Sequence, residues 1–173
     1  MEFDMCDGSI DYELLKLIES SIESGSYFDI ALVVHHMYKE KYVATSIKNK
    51  IWFTFKEHRW VKTEIGPYRE LSSTIVGLYN EYRKQLLIKK KHRKTKRTCE
   101  KILKCEDTIL MLNECVFKEK ICKECLYVFY NDQFVNSLDE LTHLIPFKNC
   151  VYDMNTGACR DGKYDDYLSI YFA

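Results

Sequence analysis

Apolar positions recur at helical spacing at the start of the chain. Ile10, Leu14, Leu17, Ile18 and Ile22 share one face, and Gly25 follows where a left-handed terminator is expected. Ser26, with Asp29 three residues on, is an N-cap signal for a second helix through Ala31, Val34 and Met37 to about Tyr38. After Glu40 the pattern turns β-prone. Tyr42-Val43-Ala44-Thr45, Ile51-Trp52-Phe53-Thr54-Phe55 and Trp60-Val61-Lys62-Thr63 are separated by short polar turns and predict a three-stranded meander. Gly66-Pro67 ends it and opens a long helix with Leu71, Ile75, Leu78, Tyr82 and Leu86 on its apolar stripe. A further helix uses Ile102, Ile109 and Leu112; another runs from about Val116 through Cys122 and Leu126 to Phe129. Asn131 to Asp139 reads as a short turn or helix. Val151-Tyr152-Asp153, the turn Asn155-Thr156-Gly157 and Ala158-Cys159-Arg160 then spell a small hairpin. Phe147, Val151 and Tyr152 are expected to pack onto the helices, with Asp153 and Arg160 facing each other across the arms.

These elements predict an α+β fold: a mostly helical single domain with a small antiparallel three-stranded meander and a C-terminal β-hairpin. The length of 173 residues and 46% hydrophobic content suit one domain with a real core. Two Pro and six Gly argue against disorder. Eight Cys are many, yet residues 1–9 are acidic rather than an apolar secretory segment, so the thiols are expected reduced and the protein intracellular. No run is long enough for a transmembrane helix, and no membrane partner is expected.

Charge changes the picture more than composition does. The formal net charge is +0, but residues 1–29 carry eight acidic side chains and one Lys, whereas residues 83–104 carry eleven Lys or Arg and only Glu100. This asymmetry predicts an acidic cap at one end and an anion-facing surface in the middle. The densest part is residues 89–97, with Lys89, Lys90, Lys91, Arg93, Lys94, Lys96 and Arg97. Cations so placed neutralise phosphates without reading sequence, and the competing reading is a solvated surface or a localisation signal. Seven like charges in nine residues should also fray a helix that runs into them.

A second candidate lies in the meander, where Trp52 and its neighbouring aromatics interleave with Lys48, Lys50, Lys56 and Arg59 in the manner of sequence-tolerant single-strand binders. Alternation limits it. The odd positions Ile51, Phe53 and Phe55 should face the core, leaving Trp52 as the residue of that strand able to face outward.

Other motifs carry less. Cys122 and Cys125 have the spacing of a metal knuckle, and Cys99, Cys105 and Cys115 could complete a zinc set, but the pair lies in a helical pattern without the tight turn a knuckle needs. No metal or other cofactor is expected. The segment from Gly157 to Lys163 imitates a phosphate-binding loop by spacing. Tyr164 replaces the magnesium-holding hydroxyl and Asp161 would place a carboxylate in the cradle, so a hairpin turn is the better reading. His35 and His36 are adjacent on a helix and point about 100° apart, which prevents them from sharing one ion. No catalytic set is evident, and the chain alone is not expected to be an enzyme.

The C-terminal wording resembles a family. Phe147-Lys148-Asn149, Val151-Tyr152-Asp153, Thr156-Gly157, Arg160-Asp161-Gly162 and Asp166-Tyr167 with Ser169 resemble the segment just upstream of the superfamily 3 helicase motor in poxvirus-type and giant-virus, and phage or plasmid, primase-helicases. Cys125 to Tyr130 with Asp132, Phe134, Leu138 and Asp139 resembles the helix leading into that segment, and Ile51 to Phe55 with His58-Arg59-Trp60 resembles its aromatic strand pair. The resemblance covers roughly residues 25–172, with Cys150 standing where the family usually has Gly. The residues themselves mark an acidic N-terminal helix at 1–25; the resemblance implies an intermediate, pre-motor domain at 26–173, within which the basic segment lies at 89–97. It also implies a non-catalytic role in viral DNA replication, with DNA, a helicase motor and a ring of like subunits as partners. The parent protein would be an ATP-dependent helicase and primase, acting at a replication site in the host cell, most naturally its cytoplasm, or carried in the virion. A stand-alone protein-interaction module and a zinc-stabilised nucleic-acid binder are the competing readings.

Overall fold

The computed structural model describes residues 11–92 and 95–172. Among them are six α-helices: α1 (Tyr12–Ser24), α2 (Tyr27–Tyr38), α3 (Tyr68–Glu70), α4 (Val76–His92), α5 (Lys96–Asn113) and α6 (Cys115–Val128). The strands are β1 (Tyr42–Ser46), β2 (Ile51–Lys56), β3 (Arg59–Thr63), β4 (Leu144–Pro146), β5 (Val151–Asp153) and β6 (Ala158–Arg160). The fold is α+β and mostly helical, with two antiparallel three-stranded sheets ordered β1-β2-β3 and β4-β5-β6. The chain divides into two interleaved units, residues 1–37 with 68–125 and residues 38–67 with 126–173.

The first unit is helical. Asp11 caps α1 by accepting from the Glu13 and Leu14 N–H groups, and Gly25 ends it at φ 64. Ile10 falls outside the described residues, but Ile18 and Ile22 are buried as the apolar spacing requires. The long third helix contains a π-helical turn at Leu71–Ile75 between α3 and α4. Its extra residue turns Leu71, Ile75, Tyr79, Tyr82 and Leu86 all inward. Tyr79, not the expected Leu78, therefore occupies the stripe. It is fully buried, and its hydroxyl lies 2.6 Å from Ser21 Oγ, which donates to the Ile18 carbonyl at 2.8 Å. A buried hydroxyl needs such a partner, and this bond fastens α1 to α4. The helix α5 folds back along α4, with Arg83 Nη1 3.6 Å from Glu106 and Cys105 Sγ reaching the Tyr79 carbonyl at 3.4 Å. Cys122 and Cys125 both lie within α6, as the helical pattern predicts.

The second unit is built around aromatic rings on both faces of the meander. In the β1–β2 and β2–β3 registers, Ala44 faces Trp52 and Phe55 faces Trp60. Phe53 packs on Phe134 with centroids 5.3 Å apart, and Trp60 meets Phe134 edge-on at 4.9 Å. The expectation for Trp52 is overturned, because it is only 3% exposed. Its face of the sheet is covered as well: Phe129 meets the indole at 5.6 Å and Tyr42 at 6.4 Å. A Cβ on Gly66 would come within 2.5 Å of the ring. The odd-numbered side chains do pack inward, but the even face is not open.

The C-terminal hairpin carries an additional strand. Leu144–Pro146, an apolar run in the sequence, pairs with β5 in register Leu144–Asp153, Ile145–Tyr152 and Pro146–Val151. Leu144, Val151 and Leu168 form its small core. Phe147 is 37% exposed and Tyr152 only half-buried, so Val151 is the one of the three expected anchors that is fully enclosed. Cys150 stays out of the left-handed region, and the loop closes through Phe147 N–H donating to the Cys150 carbonyl at 2.8 Å. A Cβ at that position is therefore tolerated.

The register also corrects the expected cross-strand ion pair. Arg160 faces Val151, and Asp153 faces Ala158. Arg160 instead forks onto Asp166, with both N–H···O distances at 2.7 Å. Asp166 also accepts from the Lys163 N–H at 2.7 Å, while Asp153 holds the turn through the Asn155 N–H.

Candidate nucleic-acid interface

The described part of the basic segment lies at the end of α4 and the start of α5, called the corner below. Lys89, Lys90 and Lys91 sit in the last turn of α4, where cations suit the negative end of the helix dipole. The helix continues through them to His92, so the expected fraying is absent from the described part. Arg93 and Lys94 lie outside the described residues. Thr95 caps α5 by accepting from the Thr98 N–H at 3.1 Å, and Lys96 and Arg97 follow in the first turn. Cations at a helix N-terminus oppose its dipole, and this turn holds no acidic residue to offset them. The corner thus gathers cations from two helix ends, one of them disfavoured unless an anion is near.

Lys89, Lys91, Lys96 and Arg97 are exposed, and Lys90 is half-buried. The Lys96 side chain is 93% exposed and reaches Glu100 only at 3.9 Å. Among the described residues Lys90, Lys91 and Arg97 form no ion pair. Beside them lies an open groove of about 480 Å³ lined by Glu23, Lys96, Arg97, Glu100, Lys101 and Lys104.

Further along α5 the cations are already engaged. Lys101 Nζ lies 3.0 Å from Glu19 and Lys104 Nζ 3.0 Å from Glu23, both carboxylates belonging to α1. Burial alone would raise the Glu19 carboxyl; hydrogen bonds from Lys101 and Tyr82 and the charges of Lys101 and Lys89 outweigh it and hold it below the ordinary value. Glu23 is held low by its bond to Lys104 and that lysine's charge, with Lys101 and Arg97 adding to the effect. The acidic N-terminal segment and the basic middle of the sequence therefore meet along one side of α5. Sequence reasoning separated them, although Glu19/Glu23 at i, i+4 and Lys101/Lys104 at i, i+3 each define a single helix face that could have been matched.

The meander candidates do not converge. Lys48 and Lys50 occupy the β1–β2 turn, whereas Lys56 and Arg59 flank the β2–β3 turn. Across the six residues of β2 the two groups are on the order of 20 Å apart. Lys56 lies 3.6 Å from Glu57, and the Arg59 guanidinium stacks 4.0 Å from the Tyr171 ring centroid. With Trp52 enclosed between Tyr42 and Phe129, this sheet offers no stacking platform beside its cations.

The remaining motifs take structural roles. Gly157 supplies the positive φ of 67° in the hairpin turn, and residues 158–160 are strand, so the phosphate-loop imitation precedes no helix of useful length. Gly162 packs where a Cβ would meet His58 at 2.6 Å, and its N–H donates to His58 Nδ1 at 2.9 Å. Burial pushes the Cys122 thiol up to about 12 and the Cys125 thiol well up, which disfavours thiolate. Among the described residues no three His, Cys, Asp or Glu side chains converge on a metal-sized site, and no helix is long and apolar enough to cross a membrane.

Comparison with known families matches residues 31–173 to the family described as D5 N terminal like. The chain belongs to this family. A mimivirus protein of Acanthamoeba polyphaga named "Putative helicase L207/L206" is 35% identical over 170 residues, covering 92% of this chain and 18% of that protein. "Putative helicase 121R" of Invertebrate iridescent virus 3 is 49% identical over 49 residues, 28% of this chain and 5% of that protein. "Putative helicase 022R" of Frog virus 3 is 36% identical over 52 residues, 30% and 5% respectively. The chain thus spans less than a fifth of the longest-matched relative. The D5 N terminal like domain accounts for the C-terminal signature and the aromatic meander, which both lie inside the matched residues.

Proposed function

We propose that this D5 N terminal like domain is a non-catalytic part of a viral DNA-replication primase-helicase, contributing DNA contact, and with it subunit assembly, ahead of an ATP-driven superfamily 3 motor. The observation that carries the reading is the corner of α4 and α5, where Lys89, Lys90, Lys91, Lys96 and Arg97 crowd two helix ends. Such a cluster binds phosphates through counterion release and favours no base. ATP hydrolysis, unwinding and primer synthesis belong elsewhere in the parent protein, which would work as a ring at a replication site inside the host cell. Subunit contact has its own support in Leu103 and Leu110, 61% and 63% exposed and one heptad apart on α5.

The test is fluorescence anisotropy of a labelled single-stranded oligonucleotide across a salt series. The parent should bind with an affinity that falls as salt rises. Replacing Lys90, Lys91, Lys96 and Arg97 with Ala should reduce the slope of log K against log salt by about 0.7 for each phosphate no longer neutralised. An unchanged slope would place the DNA contact elsewhere.

A further inference from the structure

We infer that α1 is an internal competitor for nucleic-acid phosphates: Glu19 and Glu23 occupy Lys101 and Lys104, which would otherwise extend the basic corner along α5. This deepens the reading above and rests on it. The geometry is specific. Glu19 accepts from Lys101 at 3.0 Å and from the Tyr82 hydroxyl at 2.9 Å; Lys104 bonds both the Glu23 carboxylate at 3.0 Å and the Glu23 carbonyl at 3.4 Å. Glu23, Lys101 and Lys104 line the same groove as Lys96 and Arg97. Arg97 already acts on Glu23 and Lys89 on Glu19, so the α1 carboxylates sit in the field of the corner itself.

The competition works by side-chain exchange, not by release of the helix. Ile18 and Ile22 are buried and Ser21 is bonded to Tyr79, so the backbone of α1 stays in place. The Glu23 side chain is 67% exposed and Lys104 43% exposed, and pairs so open to water are individually weak. A phosphate diester strand reaches these lysines only against that pairing, so removing the carboxylate frees the cation for it. In the resting protein the usable footprint is therefore the corner alone. It lengthens by two cations when the carboxylates withdraw.

The experiment compares Glu19→Gln/Glu23→Gln with Asp107→Asn in the same oligonucleotide salt series. Asp107 is an exposed carboxylate on α5 that forms no ion pair among the described residues, so its loss reports only the change in overall charge. Gln at position 19 keeps an acceptor for Tyr82, and Glu23→Gln alone serves as a second variant that touches no buried group. Per matched charge removed, the glutamine variants should steepen the salt slope by about 0.7 for each lysine released. Over a fourfold rise in salt, the affinity of the double variant should therefore fall about 7-fold further than that of the parent. Adding Lys101→Ala and Lys104→Ala should return the slope to the parent value. If the glutamine variants only match Asp107→Asn, the competitor role is overturned while DNA contact stands. If neither parent nor variants bind, the DNA reading falls and the competitor falls with it.

Discussion

Replacing Asp166 with Ala should destabilise the second unit, whereas replacing Asp153 should not. Asp166 is 6% exposed and takes three donors at 2.7 Å: two from the Arg160 guanidinium and the Lys163 N–H. Its removal strands a guanidinium and a backbone N–H together. Breaking a buried ion pair costs about 3–5 kcal/mol. Arg160, however, is 33% exposed and water restores part of its solvation, so the expected loss is about 2–3 kcal/mol. Asp153→Ala removes one exposed turn bond to Asn155 and should cost about 0.5–1 kcal/mol. Urea unfolding read by tryptophan fluorescence suits the purpose, because Trp60 lies beside this cluster through its indole N–H to the Tyr164 carbonyl. The effect is also pH-dependent with a defined sign. Burial pushes the Asp166 carboxyl up, but Arg160 and Lys163 outweigh it and leave the folded value below the ordinary 3.8. A depressed carboxyl contributes fully above the unfolded value and loses that contribution as pH falls through the folded one. The gap between parent and Asp166→Ala should therefore narrow below about pH 4. Equal losses for the two variants, or a gap that widens in acid, would refute the assigned pairing.

Two further outcomes follow from the packing. Tyr79→Phe should cost about 1 kcal/mol in urea unfolding by losing the 2.6 Å bond to Ser21. Combining it with Ser21→Ala should cost less than the sum of the two, and strict additivity would show that the hydroxyls do not interact. Gly66→Ala should cost about 1–3 kcal/mol and alter the near-UV signal of Trp52, because the added methyl meets the indole at 2.5 Å. A variant with parental stability and spectrum would mean that Trp52 has room to move.

The helices and the meander were legible because their burial is periodic. Gly25, Gly66-Pro67 and the alternation of β2 mark their boundaries in the sequence as clearly as in space. What eluded the sequence was set by partners distant along the chain. Trp52 could be placed on the even face of β2, but only the arrival of Phe129 closes that face. The hairpin was legible while its charge pairing was not, since a two-residue shift in register decides whether Arg160 meets Asp153 or is free to reach Asp166. Leu78 and Tyr79 competed for one stripe, and the π turn at Leu71–Ile75, which has no mark in the sequence, settled it for Tyr79. At the candidate interface the basic run itself was evident. The extent to which it is already neutralised was not, because that depends on α1 lying against α5.

The residues that identify the family and those offered for function are different sets, and the contacts give a physical reason. The signature side chains are engaged internally. Arg160 holds Asp166, the Gly162 N–H donates to His58, Tyr167 packs on Phe134, Leu168 fills the small core, and the Ser169 N–H donates to Asp139 at 2.8 Å. Asp139 and Tyr167 both adopt positive φ, 60° and 50°, and the Asp139 N–H donates to the Tyr167 carbonyl at 2.8 Å. Two non-glycine residues hold that conformation because each is tied down by the other. A signature with these roles fixes how the C-terminal sheet closes on the meander. The α4–α5 corner is the reverse case. Lys89, Lys90 and Lys91 suit the end of α4, but Lys96 and Arg97 oppose the dipole of α5 in a first turn that holds no acidic residue. Internal packing accounts for the signature, whereas the corner is where the proposed phosphate contact would fall and where the salt series tests it.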